Sequence, residues 1–486
     1  MMTELAMTIG GRRVAGEAEP VDIIDPATGE VFARAPGCSP EQLDQAVSAA
    51  REAFASWSQV PFEERGRQVA RIAEVITANA EELRRLLTAE QGKPLNAADG
   101  ELQGAAYWAA AVADLELPEV NRGDDARQVT IRHLPLGVVG GIIPWNYPVL
   151  TAMMKIAPAV TAGNTIVLKP APTTPLATLR LGELIQEVLP PGVVNIVSGG
   201  NDLGPEMTSH PGFDKITFTG STETGRRIMR AAADRITRFT LELGGNDAAI
   251  VFADVDVDLV AEKLFWGSML NSGQICVAAK RIYVHDDIYD EFLASFMKIA
   301  RSMPMGDGRE QGIALGPIQN KAQFERVTSL ADNARAAGYT LHQADAPTGK
   351  SGYFFPITVV ENPDEDAQIV QEEQFGPVLP IMRFTDVEDV VARANGTCHG
   401  LGGSVWSNDT ARAASVADRL DCATSWVNTI MDAPPDQPMG GHKQSGFGVE
   451  NGVLGLLEYM SVQSRVTHAK ILPDPETAEP VESAVA

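Results

Sequence analysis

One cysteine of this sequence stands where a thiol could act as a nucleophile. Cys276 follows a break at residues 271–273 that ends an apolar, helix-like run, and small apolar residues flank it. Such a break can place sulfur at the floor of a pocket, where a thiolate can attack a carbonyl carbon. Taken alone, a buried core cysteine is the stronger interpretation, because unpaired cysteine is among the most buried residue types. The choice therefore depends on the residues that accompany it.

Two further residues have the chemistry that such a nucleophile needs. Asn146 lies in a turn after an apolar strand, and Pro144 and Pro148 stiffen that turn, so its amide would be fixed as an oxyanion hole requires. Glu242 stands among leucines and glycines, and an apolar setting raises the pKa of a carboxylate towards neutrality, where it can serve as a base. The plainer alternatives are a turn asparagine and an ion-paired carboxylate.

Three stretches could contact a nucleotide. Lys169 ends an apolar strand and could reach a ribose or phosphate. Residues 218–225 follow a strand and open a helix; they lack the Lys-Ser/Thr pair of a nucleoside-triphosphate loop, but they offer helix N-terminal amides and the Ser221 hydroxyl to a pyrophosphate. Glu373 could bind a sugar diol, and Phe375 could line a flat ring. The alternatives are a solvated strand end for Lys169 and a charged loop for Glu373 and Phe375, and no GxGxxG fingerprint occurs near residues 218–225.

Alternating strands and helices must position these residues. Helices are predicted at residues 40–57, 62–90 and 96–114, and apolar strands at 138–143, 165–168, 193–197, 215–219 and 248–252. Strand–helix alternation with continuous apolar strands predicts a parallel sheet covered on both faces. Nucleotides bind such sheets at the carboxyl ends of the strands. A second α/β set begins near residue 256, so the predicted fold class is α/β.

The composition disfavours several classes of partner. The 486 residues include 39 basic and 64 acidic ones, and the net charge of −25 disfavours nucleic acid. No apolar run approaches the ~20 residues of a membrane helix, and the start lacks a secretory signal. The four cysteines are scattered without metal-ligand spacing, as reduced thiols of the cytoplasm are. We predict no metal site, no nucleic acid or membrane partner, and a cytoplasmic location.

Taken in order, the stretches resemble the aldehyde dehydrogenase superfamily over residues 8–470. Seven motifs carry the resemblance: PWNYP, KPAPTTP, FTGSTETG, LELGG, GQIC, EEQFGPV and GGHKQSGFG. The resemblance implies an aldehyde dehydrogenase-like fold with two Rossmann-like parallel-sheet domains and a β-arm for oligomerisation. It places an NAD(P)-binding domain at 1–116 and 137–243, a catalytic domain at 244–441, the arm at 117–136 and 456–470, and a C-terminal tail at 471–486.

The resemblance also implies roles for single residues. Cys276 would attack an aldehyde, the Asn146 amide and the Cys276 backbone N–H would hold the oxyanion, and Glu242 would activate the water that hydrolyses the thioester. Lys155 matches a lysine proposed to assist proton movement. The cofactor site would contain Ile142, Ile143, Pro144, Trp145, Lys169, Gly200, Gly220, Ser221, Leu243, Glu373 and Phe375. The substrate pocket would contain Tyr147, Met154, Leu270, Ile275, Val277, Ala433 and Met439.

Departures from the family pattern bear on cofactor and substrate. Members that prefer NAD often have a glutamate where Pro172 stands, so NAD is the first expectation and NADP stays open. Asn246 replaces a common lysine, and His442 stands where tyrosine is usual. No pocket residue is Arg or Lys, so a carboxylate on the substrate would lack a partner. We predict a neutral aliphatic or aromatic aldehyde and a homodimer or homotetramer.

Three other functions remain open at this point. A thiol hydrolase would use Cys276 and Glu242 without a redox step, but it would have no use for the nucleotide motifs. A CoA-acylating dehydrogenase would pass the thioester to CoA, and members of that kind lack the hydrolytic base that Glu242 would supply. A non-catalytic protein on the same fold would have no need of an intact Cys276, Asn146 and Glu242.

Overall fold

The computed structural model describes residues 5–118, 120–347 and 351–469. The strands of the first half are β1 (Met7–Ile9), β2 (Arg12–Val14), β3 (Ala18–Asp25), β4 (Glu30–Gly37), β5 (Val120–Gly123), β6 (Arg127–Pro135), β7 (Val138–Ile142), β8 (Thr165–Lys169), β9 (Val194–Ile196), β10 (Lys215–Thr219), β11 (Arg238–Glu242) and β12 (Asp247–Val251). The helices of this half are α1 (Pro40–Trp57), α2 (Phe62–Ala78), α3 (Ala80–Gln91), α4 (Leu95–Ala111), α5 (Pro148–Thr161), α6 (Leu176–Leu184), α7 (Leu203–Ser209) and α8 (Thr222–Ala233).

The second half continues the alternation with shorter strands near its end. Its strands are β13 (Ala279–His285), β14 (Leu341–Gln343), β15 (Thr358–Glu361), β16 (Val378–Phe384), β17 (His399–Gly400), β18 (Gly402–Trp406), β19 (Thr424–Val427), β20 (Met439–Gly440), β21 (His442–Lys443), β22 (Gly446–Phe447), β23 (Val449–Glu450) and β24 (Met460–His468). Its helices are α9 (Val257–Met269), α10 (Tyr289–Ser302), α11 (Lys321–Ala336), α12 (Gln368–Gln371), α13 (Val387–Asn395), α14 (Thr410–Ala417) and α15 (Gly452–Leu457).

The first sheet has the strand order β2-β1-β9-β8-β7-β10-β11-β22, and the strands from β9 to β11 are parallel. All residues of β7 and β8 are buried, as strands covered by helices on both faces are. The predicted parallel sheet is confirmed. The sequence analysis missed β11, because this strand has only five residues and begins with an exposed Arg238.

The second sheet has the order β14-β15-β16-β13-β12-β18-β19, with the strands from β15 to β19 parallel. The chain passes from β11 in the first sheet to β12 in the second through residues 243–246. Glu242 therefore ends the last strand before the crossing, and β12 starts at Asp247 immediately after it. The α/β fold class is confirmed, while the boundaries of the domains stay predictions.

A three-stranded antiparallel sheet forms the predicted arm. Strand β24 pairs with β6 over nine residues, and β5 pairs with the other edge of β6. Seven of the nine residues of β24 are exposed. The arm segment predicted at 456–470 is narrower in the structure, because Leu456 belongs to α15 and Tyr459 is buried in the core of the first sheet. Residue 470 and the predicted tail at 471–486 lie outside the described residues.

The helices before the first sheet differ from the prediction at one point. The helix predicted at 62–90 is divided at Asn79, whose φ of −112° and ψ of 16° leave the helical region. Its side-chain amide donates to the Val75 carbonyl at 2.8 Å, and its backbone N–H donates to the same carbonyl at 3.2 Å, so Asn79 closes the end of α2. Within the three described ranges, no helix combines the length and apolar character that a membrane crossing requires.

Candidate active site

A left-handed turn delivers Cys276. After α9, Asn271, Ser272 and Gly273 have φ values of 51°, 56° and 74°. L-residues in this region cost about 1–2 kcal/mol each, so neighbouring contacts must hold them there. The Ser272 hydroxyl donates to the Gly316 carbonyl at 2.7 Å. A Cβ on Gly273 would lie 2.4 Å from the Gly376 carbonyl oxygen, so this position requires glycine.

Cys276 lines a cavity of about 540 Å³ at the carboxyl ends of the first sheet's strands. Asn146, Cys398 and His399 border the same cavity. Seven residues predicted to bind a cofactor also line it, namely Pro144, Trp145, Gly220, Ser221, Leu243, Glu373 and Phe375. The structure therefore brings the predicted nucleophile, the predicted oxyanion amide and most of the predicted cofactor residues to one place.

The remaining predicted cofactor residues lie on the same sheet. Ile142 and Ile143 are buried at the end of β7, and Gly200 is exposed after β9. Lys169 ends β8 and is buried, so it is not the solvated strand end that the sequence left as an alternative. Burial lowers the pKa of Lys169 to about 8, and its Nζ donates to the Pro170 carbonyl at 3.2 Å. A buried ammonium group with one neutral partner is suited to a polar ligand.

Asn146 joins two turns that are far apart in the chain. Its side-chain Nδ2 donates to the Gln274 carbonyl at 2.9 Å, and its own carbonyl accepts from Asn271 Nδ2 at 3.2 Å. Asn271 and Gln274 both belong to the segment that leads to Cys276. An amide carries two hydrogens. With one directed at Gln274, the other can serve a ligand oxygen beside the thiol.

Glu242 is a buried carboxylate without a hydrogen-bond partner. Its side chain is 4% exposed, and neither carboxylate oxygen has a partner in the part of the chain that the structure describes. Burial and the nearby Glu450 raise its pKa well above the ordinary value, and the positive charge of Lys155 opposes them. The alternative of an ion-paired carboxylate does not describe this residue. A polar group left unpaired in this way is explained by a ligand or water that completes its bonds.

Lys155 and Glu450 form a buried ion pair beside Glu242. Lys155 Nζ bonds to Glu450 Oε1, and both side chains are almost completely enclosed. Glu450 Oε1 also accepts a bond from the Thr217 hydroxyl at 3.4 Å. The sequence analysis predicted Lys155 and missed Glu450. The available signal was a carboxylate in the short segment just after the GGHKQSGFG motif, where β23 pairs with β20.

The Cys276 thiol is protonated at neutral pH in this setting. Burial raises its pKa to about 12; Lys280 opposes this effect, while the acidic residues nearby add to it. The sequence analysis missed Lys280, which is 2% exposed and donates from Nζ to the Ile275 carbonyl. Its Nζ also lies 3.5 Å from both the Cys276 carbonyl oxygen and Glu373 Oε1. Lys280 is therefore the cation that favours the thiolate.

No histidine occurs in the motifs around Cys276, Asn146 and Glu242, yet the structure places His399 in the cavity wall. Burial and nearby cations lower its pKa to about 4, so its ring is neutral at pH 7. Its Nδ1 lies 3.6 Å from the Cys398 sulfur. Sequence reasoning missed this pair, because residues 398 and 399 lie more than a hundred positions from Cys276 and outside every motif.

Two aromatic rings and one carboxylate shape the other wall of the cavity. The rings of Trp145 and Phe375 meet edge to face with centroids 5.3 Å apart. Glu373 Oε1 accepts the Gly245 N–H at 3.1 Å, and burial raises the pKa of this carboxyl group. A Cβ on Gly244 would lie 2.4 Å from Glu373 Oε2, so the glycine leaves room for the carboxylate.

None of the seven predicted substrate residues is among those that line the cavity bordered by Cys276. Tyr147 is half-buried, and the pKa of its phenol is raised by burial and by the nearby Glu101 and Cys276. Leu270 lines an open groove of about 400 Å³ with Trp266 and Ile430. Among the other predicted pocket residues, Ile275 is buried and the half-buried ones are Met154, Val277, Ala433 and Met439.

The structure shows the contacts of Asn246 and His442, the two residues that differ from the family pattern in the motifs. Asn246 is buried, donates from Nδ2 to the Val370 carbonyl at 2.8 Å, and accepts at its own carbonyl from Arg281 Nε at 2.9 Å. It therefore ties the start of β12 to α12. His442 is exposed, and its Nδ1 lies 3.4 Å from a carboxylate oxygen of Asp421.

Sequence comparison identifies relatives of this chain. A model described as "Aldehyde dehydrogenase family" matches residues 14–465. A Pseudomonas protein named "Probable aldehyde dehydrogenase" is 42% identical over 459 residues, which are 93% of this chain and 93% of that protein. Aldehyde dehydrogenase LUC3 of a Fusarium species is 38% identical over 91% of this chain and 94% of its own length.

Solved structures that resemble this chain are aldehyde dehydrogenases as well. Betaine aldehyde dehydrogenase from Staphylococcus aureus in complex with NAD+ matches with a TM-score of 0.93 and 34% identity, over 97% of this chain and 96% of that chain. NAD-dependent aldehyde dehydrogenase from Sinorhizobium meliloti matches with a TM-score of 0.94 and 33% identity, over 98% and 97%. Fold and cavity define a two-sheet α/β oxidoreductase with a thiol in its active site. This chain belongs to the aldehyde dehydrogenase family.

Proposed function

We propose that this protein oxidises a neutral aliphatic or aromatic aldehyde to the carboxylic acid with NAD or NADP. The observation that carries the proposal is the shared cavity, where the Cys276 thiol and the Asn146 amide face residues suited to a dinucleotide. Glu242 lies close enough for its charge to act on Cys276, and it has no partner of its own. These groups supply a nucleophile, an oxyanion donor and a base.

The residues present fit a dinucleotide. The N-terminus of α8 opens at the cavity, with Ser221 as its cap, and free helix amides favour a pyrophosphate. Lys169 and Glu373 would bind the riboses, and Trp145 and Phe375 would enclose the nicotinamide. When bound, the nicotinamide accepts a hydride. The two solved relatives described above, one bound to NAD+ and one named NAD-dependent, make NAD the first choice, and Pro172 offers no carboxylate that would repel the phosphate of NADP.

The chain's own groups account for the two halves of the reaction. Cys276 Sγ loses its proton and bonds to the aldehyde carbon, while Asn146 Nδ2 and the Cys276 backbone N–H hold the oxyanion. Loss of hydride from that carbon leaves a thioester on sulfur. Glu242 then takes a proton from the attacking water, and the acid leaves as the C–S bond breaks. Lys155 and Glu450 would carry the proton away from Glu242.

Steady-state assays with a panel of aldehydes and both cofactors test the proposal. We expect reduced nicotinamide to form with medium-chain or aromatic aldehydes, without added CoA. A higher kcat/KM for succinic semialdehyde would contradict the neutral substrate. Strict dependence on CoA would show that CoA, and not water, accepts the acyl group. Ester hydrolysis without any aldehyde oxidation would show that the protein is a thiol hydrolase. An unchanged rate after Cys276→Ala would contradict the catalytic assignment as a whole.

We also propose that the protein forms a homo-oligomer and that it is located in the cytoplasm. Within the described residues, no strand pairs with the outer edge of β24, which also exposes the apolar side chains of Val462 and Val466; a second copy of the chain could cover both in a homodimer or homotetramer. The predicted domain boundaries belong to this proposal as well. All four cysteines are unpaired, which supports a reducing cytoplasmic location.

A further inference from the structure

We propose that the buried ion pair of Lys93 and Glu101 positions the Asn146 amide, so that Lys93 is a positioning residue for the oxidation. This inference rests on the function proposed above, in which Asn146 holds the oxyanion. Neither Lys93 nor Glu101 belongs to the motifs of the sequence, and neither borders the cavity that holds Cys276. The ion pair would act on the Asn146 amide by holding the backbone of the turn at residues 145–147.

Lys93 contacts two successive residues of that turn. Its Nζ donates to the Asn146 carbonyl at 2.9 Å and lies 3.7 Å from the centre of the Tyr147 ring. The side chain is completely buried, and the ammonium is 2.5 Å from Glu101 Oε2. One cation therefore fixes the Asn146 backbone from one side and the neighbouring ring from the other.

Glu101 fixes the next residues of the chain. Its Oε1 accepts the N–H groups of Val149 at 2.8 Å and Leu150 at 3.2 Å, in the first turn of α5. A carboxylate at a helix N-terminus is favourable, because the free N–H groups there carry partial positive charge. The ion pair thus holds the segment from Asn146 to Leu150 at both ends, and the oxyanion amide lies at its beginning.

The backbone that carries Lys93 also contacts the loop that holds the turn at residues 271–273. Gly92 has a φ of 91°, and a Cβ on Gly316 would lie 2.1 Å from the Gly92 carbonyl oxygen, so the two backbones are in direct contact. Gly316 is the residue whose carbonyl accepts the Ser272 hydroxyl. The backbone on which Lys93 sits and the turn that delivers Cys276 are therefore joined through one loop.

Stability alone is a weak reason for this pair. Burying two charges costs several kcal/mol for each ion, and apolar side chains of similar volume often serve folding as well or better. The geometry offers a better reason, since an ammonium–carbonyl bond is charge-assisted and holds its acceptor more firmly than a neutral amide does. Without Lys93, the bond from Asn271 would be the remaining side-chain bond to the Asn146 carbonyl.

A double-mutant cycle between Lys93 and Asn146 tests the inference. We measure the single-turnover rate of cofactor reduction and the KM for the cofactor in wild type, Lys93→Met, Asn146→Ala and the combined variant. Lys93→Met should slow this rate by about 10- to 100-fold, in the range that misplaced catalytic groups cost, and leave the cofactor KM within about twofold. In the Asn146→Ala background the same change should have almost no further effect, because no amide remains to be positioned.

Additive losses in the cycle, or an unchanged rate in Lys93→Met, would overturn the inference while leaving the proposed function intact. A wild type that reduces no cofactor with any aldehyde would instead contradict the proposed function. Lys93→Arg, which retains the charge but places a larger group in a completely enclosed site, should recover part of the rate.

Loss of stability is controlled separately. Lys215→Met removes another completely buried lysine, whose Nζ donates to the Thr240 hydroxyl at 2.6 Å and lies 3.6 Å from Glu458 Oε2. At a similar decrease in Tm, it should lose far less of the single-turnover rate than Lys93→Met. If Lys93→Met does not fold, the variant Lys93→Met/Glu101→Gln, which leaves no unpaired buried charge, replaces it in the cycle. An equal loss in Lys215→Met would contradict a role through Asn146.

Discussion

At the scale of single residues, the sequence identified groups whose chemistry is visible in a motif. Cys276, Asn146 and Glu242 could be selected because each stands in a short, unusual stretch, and the structure brings these three stretches together. Lys93, Lys280 and Glu450 were not selected, because they lie outside the seven motifs that carry the resemblance. Their environment arises from burial and from partners remote in the chain, which only the folded molecule shows.

Glu242→Gln separates the two halves of the proposed reaction. Hydride loss does not need the carboxylate, so the variant should give a single burst of reduced cofactor followed by almost no turnover. Rapid-mixing measurement of that burst is the test, and sustained turnover at the wild-type rate would contradict it. Since burial and Glu450 raise the pKa of Glu242, the ionised base forms only as pH rises through that value. Wild-type turnover should therefore increase with pH where hydrolysis limits it.

Lys280→Met tests the electrostatic control of the nucleophile. Removal of the ammonium group near the Cys276 carbonyl takes away the charge that lowers the thiol pKa, so alkylation by iodoacetamide should slow at a given pH. Its pH profile should move to higher pH by about one unit. Lys280→Arg is the matched control, because it keeps the charge. The same pH profile in both variants would mean that Lys280 only supports the fold.

At the scale of elements, periodicity predicted most helices and the buried parallel strands. Strands β7 and β8 are largely apolar runs, and β10 alternates polar residues with Ile216 and Phe218, so these strands are readable without a structure. The turn at residues 271–273 was readable only as a break. Its left-handed conformation follows from contacts with Gly316 and Gly376, and both lie far along the chain.

Gly273→Ala tests how tightly this turn is held. A methyl group would lie 2.4 Å from the Gly376 carbonyl oxygen, so the turn must shift and move Cys276. We expect loss of most aldehyde oxidation and a lower Tm. Gly338→Ala is the matched control: its φ of 91° is equally unfavourable for alanine, but no atom lies within 4 Å of the added methyl. The control should show a loss of about 1 kcal/mol in stability with full activity. Equal activity in the two variants would refute the close contact.

At the scale of the whole molecule, two sheets meet around one cavity. The first sheet contributes Asn146 and Glu242 from its strand ends, and the segment before β13 contributes Cys276. Hydrogen bonds between Asn146 and the Cys276 segment connect the two parts. The sequence indicated two α/β sets. Their relative placement could not be derived from it, because such contacts leave no periodic pattern.

Val462→Asp tests the proposed assembly through the arm. Val462 is 66% exposed on β24, and a charge there should disfavour burial against a second chain. Light scattering coupled to size exclusion should show a smaller species than wild type. Val31→Asp is the matched control, since Val31 is also an exposed strand valine, at 51%, and lies on β4 away from the arm. A monomeric wild type, or an equal change in both variants, would contradict the proposal.

The return of the chain's last strands to the first sheet has a consequence for synthesis. Strand β22 pairs with β11 beside Glu242, and Leu456, Tyr459 and Met460 enter a core whose other buried residues all come before residue 244. In a nascent chain that has emerged only as far as residue 440, one edge of the first sheet is therefore unpaired. The core of that sheet also lacks these side chains. Translation must therefore pass residue 460 before this site can close, so a premature stop between residues 244 and 440 should be as damaging as an earlier one.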